Sequence, residues 1–424
     1  MTIEQLHQLF LKHPQVSTDT RNIQSNSIFF ALKGPNFNGN KFASEALRNG
    51  AAYAIADEIE YATGDQIILV EDALKALQEL AAFHRNYCDA KIIGLTGSNG
   101  KTTTKELIFT VLSRKFKTIA TKGNLNNHLG VPLTLLTIQE NTEFAIVEMG
   151  ANHKKEIEFL CTIAQPDYGY ITNFGKAHLE GFGGIEGVIK GKSELYEYLI
   201  SGNKNIFFNG DDPVQVNKLK KYRNKIGYAI NNPQCLNIKF LGAQPFVVLK
   251  VDDTEIRTQL VGSYNFTNCC ISVLIGKYFN VPLEDIKKAI ENYLPRNNRS
   301  QIIDKNNYHI VLDAYNANPN SMEAALEHFN SIPGNNKTAI LGDMFELGEQ
   351  AHEEHQKIVD LATGMKFTSV ILVGGNFYKT NSKFLKFQSF EDFSRYLKEH
   401  KINKGNILIK GSRGMALERI LDYL

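Results

Sequence analysis

The segment Gly94-Leu-Thr-Gly-Ser-Asn-Gly-Lys-Thr-Thr-Thr104 decides how this chain of 424 residues folds. An apolar run over residues 91–96 enters a glycine-rich turn, and a segment with helical spacing leaves it. This order is typical of a phosphate-binding loop, in which the N-terminus of the helix favours negative charge. We expect Lys101 to reach the β- and γ-phosphates of a nucleotide and Thr102 to hold Mg²⁺. The candidate nucleotide-binding residues of the loop are Gly97, Ser98, Asn99, Gly100, Lys101, Thr102 and Thr103.

The spacing of this loop departs from the standard Walker pattern, which requires glycine at position 95, where this chain has Leu95. A chance glycine-rich turn is therefore the alternative interpretation. Because the strand, the glycines, the Lys-Thr pair and the helix occur together, the sequence favours nucleotide binding.

Apolar runs alternate with helical patterns along the whole chain, which predicts an α/β fold. The first series predicts a small N-terminal α/β domain, and the second predicts a central P-loop domain with a mainly parallel sheet and helices on both faces. The third predicts a C-terminal Rossmann-like domain. We expect these three domains over residues 1–85, 86–296 and 297–424. The strand-like runs are 27–32, 51–56, 66–70, 91–96, 116–120, 144–149, 168–172, 205–208, 308–312, 338–341, 369–373 and 406–409, with a hairpin over 245–260 and a buried helix over 265–279.

The composition excludes several classes of protein. The 47 basic and 45 acidic residues nearly balance, so we expect no nucleic-acid partner and no attraction to an anionic membrane. The five cysteines lack the spacing of a zinc site, which favours a reducing cytoplasm. The N-terminus is acidic where a signal peptide is basic, and no apolar run of about 18 residues follows. We therefore expect a cytoplasmic monomer that is neither exported nor inserted into a membrane.

Polar residues follow several of the predicted strands, at the edge where α/β sheets bind ligands. Glu148 ends one strand, and its position beside the phosphate loop favours Mg²⁺ binding over a carboxylate that simply faces water. His178 follows the next strand, but alone it is more typical of an ordinary loop histidine. Lys192, by residue type alone, indicates an exposed helical lysine.

Two asparagine-rich stretches leave their roles open. Residues 313–321, Asp-Ala-Tyr-Asn-Ala-Asn-Pro-Asn-Ser, follow the first strand of the third domain, where side chains often meet a ligand. The alternative is a turn ahead of a helix capped by Ser321. Residues 122–128 could equally form a polar loop. The residues themselves thus indicate a cytoplasmic, Mg²⁺-dependent nucleoside triphosphate enzyme and leave its phosphoryl acceptor undefined.

Six stretches together resemble the Mur ligases, and the match runs nearly from end to end. They are Thr-Gly-Ser-Asn-Gly-Lys-Thr-Thr-Thr-Lys-Glu, Gly-Asn-Leu-Asn-Asn-His-Leu-Gly-Val-Pro, Val-Glu-Met-Gly-Ala-Asn-His, Ala-His-Leu-Glu-Gly-Phe-Gly, Asp-Ala-Tyr-Asn-Ala-Asn-Pro-Asn-Ser-Met and Lys-Gly-Ser-Arg-Gly-Met. The resemblance implies an ATP-dependent ligase that phosphorylates a carboxylate and forms an amide through the acyl phosphate. Within the family, Ser98 and Tyr315-Asn-Ala-Asn-Pro319 are similar to the dipeptide-adding members. This likeness implies that the substrates are UDP-N-acetylmuramoyl-tripeptide and D-alanyl-D-alanine.

The same resemblance implies roles for individual residues. Two Mg²⁺ ions are expected, one held by Thr102 and Glu148 and the other served by His178 and a carbamylated (N6-carboxylated) Lys192. The implied ATP contacts are Asn268 for adenine, Arg299 for a phosphate and Asp313 for ribose. The implied substrate contacts are Thr20 and Arg21 for the uridine diphosphate, Asn124, Asn126 and Asn127 for the muramoyl peptide, and Asn316 and Asn318 in the stretch typical of dipeptide addition.

Other classes of function compete with this interpretation. A P-loop GTPase switch is disfavoured because no Asn-Lys pair is followed by the Asp that reads guanine. A ligase similar to folylpolyglutamate synthase usually lacks a uridine-binding first domain. A diamino-acid-adding Mur ligase usually carries histidine in the stretch around Asn316. A non-catalytic nucleotide-binding protein is disfavoured by Lys101, Glu148 and His178.

Overall fold

The computed structural model describes residues 1–295 and 298–424, and it contains three large sheets that follow one another along the chain. The predicted α/β fold with a mainly parallel central sheet is confirmed. The predicted boundary between the second and third domains, at 296/297, lies outside the described residues. No helix within the described ranges is both long and apolar enough to cross a membrane.

The first sheet consists of four parallel strands in the order β1-β2-β5-β6, beside a short antiparallel hairpin of β3 and β4. The strands are β1 (Val16–Ser17), β2 (Ile28–Phe30), β3 (Lys33–Gly34), β4 (Phe37–Asn38), β5 (Tyr53–Ala56) and β6 (Ile67–Leu69), and the helices are α1 (Ile3–Lys12), α2 (Ala43–Arg48) and α3 (Ala73–Tyr87). Helix α3 packs on α1 and on helices of the central sheet. The predicted boundary at 85/86 falls inside its last turn and stays a prediction.

The second sheet has nine strands in the order β15-β14-β13-β12-β11-β10-β7-β9-β8. Strands β7 to β13 run parallel, and β13, β14 and β15 form an antiparallel meander at one edge. The strands are β7 (Lys91–Thr96), β8 (Thr118–Ala120), β9 (Phe144–Glu148), β10 (Tyr168–Ile171), β11 (Asn205–Asn209), β12 (Lys225–Ala229), β13 (Leu236–Ala243), β14 (Phe246–Val251) and β15 (Thr254–Val261). The helices are α4 (Lys101–Leu112), α5 (Gly130–Leu135), α6 (Glu156–Ala164), α7 (Leu179–Phe182), α8 (Ile185–Ser201), α9 (Pro213–Lys218), α10 (Asn265–Tyr278) and α11 (Leu283–Glu291).

The third sheet has six strands in the order β16-β17-β21-β18-β19-β20, all parallel except the edge strand β16. The strands are β16 (Gln301–Lys305), β17 (Tyr308–Asp313), β18 (Lys337–Gly342), β19 (Ser369–Val373), β20 (Leu385–Phe387) and β21 (Gly405–Lys410), and the helices are α12 (Pro319–Ser331), α13 (Ala351–Thr363), α14 (Gly375–Tyr378) and α15 (Phe390–Glu399). The core strand β18 is buried along its whole length, as expected for a parallel strand covered on both faces.

Neighbouring strands of the second sheet bring the predicted catalytic segments together. Strand β7 lies between β10 and β9, with Leu95 paired to Glu148 and Thr96 paired to Ile171. The carboxyl ends of these three strands therefore meet at one edge of the sheet, which is where open α/β sheets bind ligands.

Candidate active site

The glycine-rich loop joins β7 to α4 through two glycines that no other residue could easily replace. Gly97 has φ +141°, and a Cβ there would lie 1.9 Å from Thr172 Oγ1. Gly100 has φ +79°, and a Cβ there would lie 2.7 Å from Asn268 Oδ1. Residues with side chains rarely adopt these angles, so the two glycines allow the loop to turn tightly against its neighbours.

The segment after β10 holds the loop in shape. Asn173 clamps the backbone of Asn99, accepting from its N–H at 3.1 Å and donating to its carbonyl at 3.1 Å. Thr172 Oγ1 donates to the same carbonyl at 2.6 Å, and Ser98 Oγ donates to the Gly175 carbonyl at 2.8 Å. The loop is thus rigidly supported, which prepares its backbone for a bound phosphate.

Lys101 begins α4 and folds back over the loop. Its Nζ donates to the Gly97 carbonyl at 2.8 Å and to the Ser98 carbonyl at 3.3 Å. Burial lowers the pKa of Lys101, an effect that nearby Glu148 opposes. Nζ therefore lies against the loop that the sequence predicts to bind phosphate.

Thr102 and Glu148 meet beside Lys101, both almost fully buried. Thr102 Oγ1 donates to Glu148 Oε2 at 3.1 Å, and Asn126 Nδ2 donates to Glu148 Oε1 at 2.8 Å. A hydroxyl and a carboxylate that share one wall offer the hard oxygen atoms that Mg²⁺ prefers. Across residues 1–295 and 298–424, no three His, Cys, Asp or Glu side chains converge on a common metal position.

A cavity of about 1170 Å³ lies between the second and third domains and contains most of the predicted site. The predicted residues that line it are Ser98, Asn99, Gly100, Lys101, Thr102, Thr103, Asn124, Asn126, Asn127, Glu148, His178, Asn268, Arg299, Asp313, Asn316 and Asn318. Gly97 lies just behind the cavity, against Thr172. Asn127 also caps α5, because its Oδ1 accepts from the Gly130 N–H at 2.9 Å.

The wall formed by the third domain is organised around Asp313 at the end of β17. Asp313 accepts from Lys410 Nζ at 2.5 Å and from the Ser300 N–H at 3.1 Å. The Arg299 guanidinium stacks on Tyr315 at 3.6 Å from the ring centroid, a favourable cation–π contact. Stacking on Tyr315 therefore holds Arg299 in the cavity wall.

Asn318 links the third domain to the phosphate loop. Its Oδ1 accepts from the Ser321 N–H at 3.0 Å, and Ser321 Oγ accepts in return from the Asn318 N–H at 3.0 Å. The N-cap of α12 is therefore Asn318, and the alternative interpretation, in which Ser321 is the cap, is wrong. Its Nδ2 donates to Asn99 Oδ1 at 2.7 Å. One amide thus caps a helix and bridges the two domains.

His178 reaches the third domain as well. Its Nδ1 lies 2.5 Å from Glu346 Oε2, although the two groups are not aligned as a hydrogen bond. This contact holds the pKa of Glu346 below its usual value. His178 and Glu346 both adopt left-handed backbone conformations, which are uncommon for such residues and concentrate at functional sites.

Lys192 is buried in α8, so the exposed-lysine interpretation is wrong. Its Nζ donates to the Ala151 carbonyl at 3.0 Å and lies 5.0 Å from the Phe182 ring centroid. Burial lowers the pKa of Lys192 well below its usual value. Ala151 lines the cavity, whereas Lys192 itself lies directly behind it.

Thr20 and Arg21 are not brought to this cavity. They begin a short 3₁₀ turn in the first domain, where the exposed Arg21 is paired with Asp19. They belong to a separate surface of the protein.

Sequence reasoning missed several residues of the site, of which Asn173, Lys410 and Glu346 make contacts described above. Asn173 and Lys410 each stand at the end of a strand, so the rule that selected Glu148 would also have found them. Glu346 carries no such local signal, because its contact with His178 joins two domains.

Comparisons with known proteins agree with this architecture. The Mur ligase family catalytic domain matches residues 14–85, the Mur ligase middle domain matches 95–276, and the Mur ligase glutamate ligase domain matches 298–413. The UDP-N-acetylmuramoyl-tripeptide–D-alanyl-D-alanine ligase of Bacillus subtilis is 33% identical over 96% of this chain and 92% of its own length. The ligase of the same name from Rickettsia prowazekii is 32% identical over 96% of this chain and 94% of its own length.

Solved structures give the same result. MurF from Acinetobacter baumannii superimposes with a TM-score of 0.87 at 29% identity, over 99% of this chain and 98% of that one. MurF ligase from Thermotoga maritima, in complex with ADP, superimposes with a TM-score of 0.85 at 27% identity, over 97% of each chain. The chain therefore belongs to the Mur ligase family.

Proposed function

We propose that this protein joins D-alanyl-D-alanine to UDP-N-acetylmuramoyl-tripeptide at the expense of ATP, a step in peptidoglycan precursor synthesis. The observation that carries the proposal is the single cavity in which the phosphate loop of one domain faces the Arg299, Asp313 and Asn318 wall of the next. Relatives that share about a third of its residues over nearly the whole chain carry the same activity in their names.

The reaction proceeds in two steps. The γ-phosphoryl group of ATP moves to an oxygen of the tripeptide's terminal carboxylate, which releases ADP and leaves an acyl phosphate. The dipeptide amine then attacks the acyl carbon, the amide bond forms, and phosphate leaves with the former carboxylate oxygen while the amine loses a proton. The protein supplies mainly position and charge, as is general for phosphoryl transfer.

Lys101 and the start of α4 neutralise the charge of the polyphosphate. Lys101 exchanges its contacts to the Gly97 and Ser98 carbonyls for phosphate oxygens. Arg299, held by stacking on Tyr315, approaches the phosphates from the other domain. Asn268 faces the adenine and Asp313 the ribose.

Thr102 and Glu148 fit a magnesium ion, because their hydroxyl and carboxylate oxygens lie side by side on the cavity wall. When bound there, Mg²⁺ supplies charge neutralisation for the β- and γ-phosphates. Asn126 orients the Glu148 carboxylate through the second carboxylate oxygen.

We further propose that His178 and a carbamylated Lys192 serve a second ion. Carbamylation needs a neutral amine, and burial of Lys192 favours that form. A carbamate oxygen would suit Mg²⁺, whereas an ammonium group would repel it.

Substrate contacts extend from the cavity to the first domain. Asn124, Asn126 and Asn127 face the muramoyl peptide, Asn316 and Asn318 the dipeptide side, and Thr20 and Arg21 the uridine diphosphate. ATP use and five free cysteines favour a location in the cytoplasm.

The test is ADP release and product mass with substrates omitted one at a time. We expect ADP release with ATP, UDP-N-acetylmuramoyl-tripeptide and D-alanyl-D-alanine together, and an amide product that contains the dipeptide. Competition with meso-diaminopimelate or lysine tests the choice of amine. A dominant diamino-acid product would contradict the proposed substrate, and a lack of any amide product would contradict the ligase.

A further inference from the structure

Lys105 lies on α4 one turn after Thr102 and is 2% exposed, although it does not line the cavity. Its Nζ donates to the Thr121 carbonyl at 2.6 Å and approaches the Gly123 carbonyl at 3.5 Å. Long charged side chains are rarely buried so completely without a specific partner. Here the partners are two carbonyls at the base of the loop that carries Asn124 and Asn126.

The contacts of Lys105 close a buried ring across three elements. Thr121, whose carbonyl binds Lys105, accepts from the Glu148 N–H through its Oγ1 at 3.0 Å. Glu148 in turn accepts from Thr102, on the same helix as Lys105. The ring therefore ties the phosphate-loop helix, the end of β9 and the loop after β8 to one another.

Burial lowers the pKa of Lys105, and two nearby carboxylates oppose this effect. The carboxylates of Glu148 and Glu106 lie nearby, with Glu106 Oε1 at 3.9 Å from Nζ. They offset part of the cost of burying an ammonium group, and the carbonyls satisfy its donors. The two carbonyls thus fix the direction of the side chain, and the carboxylates offset part of the cost of its burial.

We propose that Lys105 is a positioning residue that holds the loop over residues 121–127 for the muramoyl substrate. This inference rests on the proposed function, in which that loop faces the substrate. Lys105 touches neither ATP nor substrate, and it acts through the backbone of Thr121 and Gly123 on Asn124 and Asn126. Its loss should loosen the loop while leaving the phosphate loop intact, because Gly97 to Lys101 have their own support from residues 172–175.

The test compares Lys105→Met and Lys105→Arg with Lys115→Met. Lys115 is the control, because its Nζ also donates to two backbone carbonyls, of Asn280 at 2.8 Å and Phe279 at 3.4 Å, but from an exposed position that does not line the cavity. Hydrogen exchange of residues 121–127 is measured without ligands. The KM for UDP-N-acetylmuramoyl-tripeptide is measured separately from the affinity for a non-hydrolysable ATP analogue, and the latter is measured without Mg²⁺ because Asn126 and Thr121 also contact Glu148.

In Lys105→Met we expect exchange in this loop to quicken by at least about tenfold and the KM for the muramoyl substrate to rise at least about fivefold. The affinity of Lys105→Met for the ATP analogue should stay within about twofold of wild type. In Lys105→Arg, the changes in hydrogen exchange and in KM should both be smaller than in Lys105→Met. Lys115→Met should change neither. If Lys105→Met does not fold, Lys105→Gln replaces it, since its shorter side chain cannot reach the carbonyls.

The proposal would be overturned if, in Lys105→Met, hydrogen exchange of residues 121–127 and the KM for the muramoyl substrate both stayed within about twofold of wild type. An equal loss of affinity for the ATP analogue would also overturn it, because Lys105 would then support the whole site. Failure of the proposed function can be distinguished from failure of the Lys105 proposal. In the first case wild-type protein would form no amide product, whereas hydrogen exchange of residues 121–127 could still be compared between the variants.

Discussion

Replacing Asn318 with serine separates the two tasks of this side chain. Serine retains the cap of α12, because its hydroxyl can accept from the Ser321 N–H as Asn318 Oδ1 does. It cannot reach Asn99, so the bond of 2.7 Å between the third domain and the phosphate loop is lost. Asn318→Ala loses both contacts.

The structure sets the size of these effects. A single hydrogen bond of this kind contributes about 1 kcal/mol, which corresponds to about a fivefold shift away from the arrangement in which Asn318 is bonded to Asn99. We therefore expect Asn318→Ser to lower kcat/KM for ATP about fivefold without lowering the unfolding temperature. Asn318→Ala should in addition lower the free energy of unfolding by about 1 kcal/mol, because the N-cap of α12 is also lost.

The assay is steady-state ADP release combined with thermal unfolding of both variants and of Asn99→Ala. The double variant Asn99→Ala/Asn318→Ser should be no worse than either single variant, since both remove the same bond. Additive losses in kcat/KM for ATP would refute the reasoning, because they would mean that Asn99 and Asn318 affect the use of ATP independently of each other. An unchanged kcat/KM in Asn318→Ser would refute it as well.

Three further perturbations test other parts of the account. Lys101→Ala should remain folded, as judged by circular dichroism, and its rate of ADP release should fall at least about a hundredfold, because a charge-assisted contact to the transferred phosphate is removed. Substantial residual ligation would contradict this role of Lys101. Lys192→Ala should lose nearly all activity, and formate or acetate should restore part of it in place of a carbamate; activity close to wild type would show that Lys192 has no such role. His7 and His84 are buried against each other, with 3.0 Å between His7 Nε2 and His84 Nδ1, and burial lowers the pKa of both below the ordinary value of 6.5. The unfolded chain therefore binds more protons, so the free energy of unfolding should fall as the pH drops below 6.5, by up to about 1.4 kcal/mol per pH unit for each histidine. Thermal unfolding between pH 7.5 and 5.5 measures this slope, and an equal slope in His7→Gln would refute the assignment.

Strands with continuous apolar runs could be predicted from the sequence, because a parallel strand covered on both faces must be apolar throughout. Strands β7, β9 and β19 are of this kind. Among the described strands, seven were missed: Val16–Ser17, Lys33–Gly34, Phe37–Asn38, Lys225–Ala229, Leu236–Ala243, Gln301–Lys305 and Leu385–Phe387. Four of them are only two or three residues long, and the other three contain lysines and exposed or half-buried residues, so none of the seven is a continuous buried apolar run.

Parts of the candidate site could likewise be predicted from local sequence patterns. The loop from Gly97 to Thr102 is a local motif, and its chemistry could be predicted. The burial of Lys192 also had a signal, since Val188, Lys192, Leu195 and Leu199 recur at helical spacing on the buried face of α8.

Contacts between domains could not be predicted from local pattern. The bond between Asn99 and Asn318 joins residues 219 positions apart, and the pairing of His178 with Glu346 likewise crosses domains. Neither pair shares a motif or a period, so only the folded arrangement brings them together.

The central claim is that an acyl phosphate forms between ATP and the substrate's terminal carboxylate. The most direct measurement uses UDP-N-acetylmuramoyl-tripeptide labelled with ¹⁸O in that carboxylate, with ATP and D-alanyl-D-alanine, and mass analysis of the phosphate released. The account predicts that one labelled oxygen appears in the phosphate for each amide formed. Phosphate released without label, alongside amide product, would contradict it.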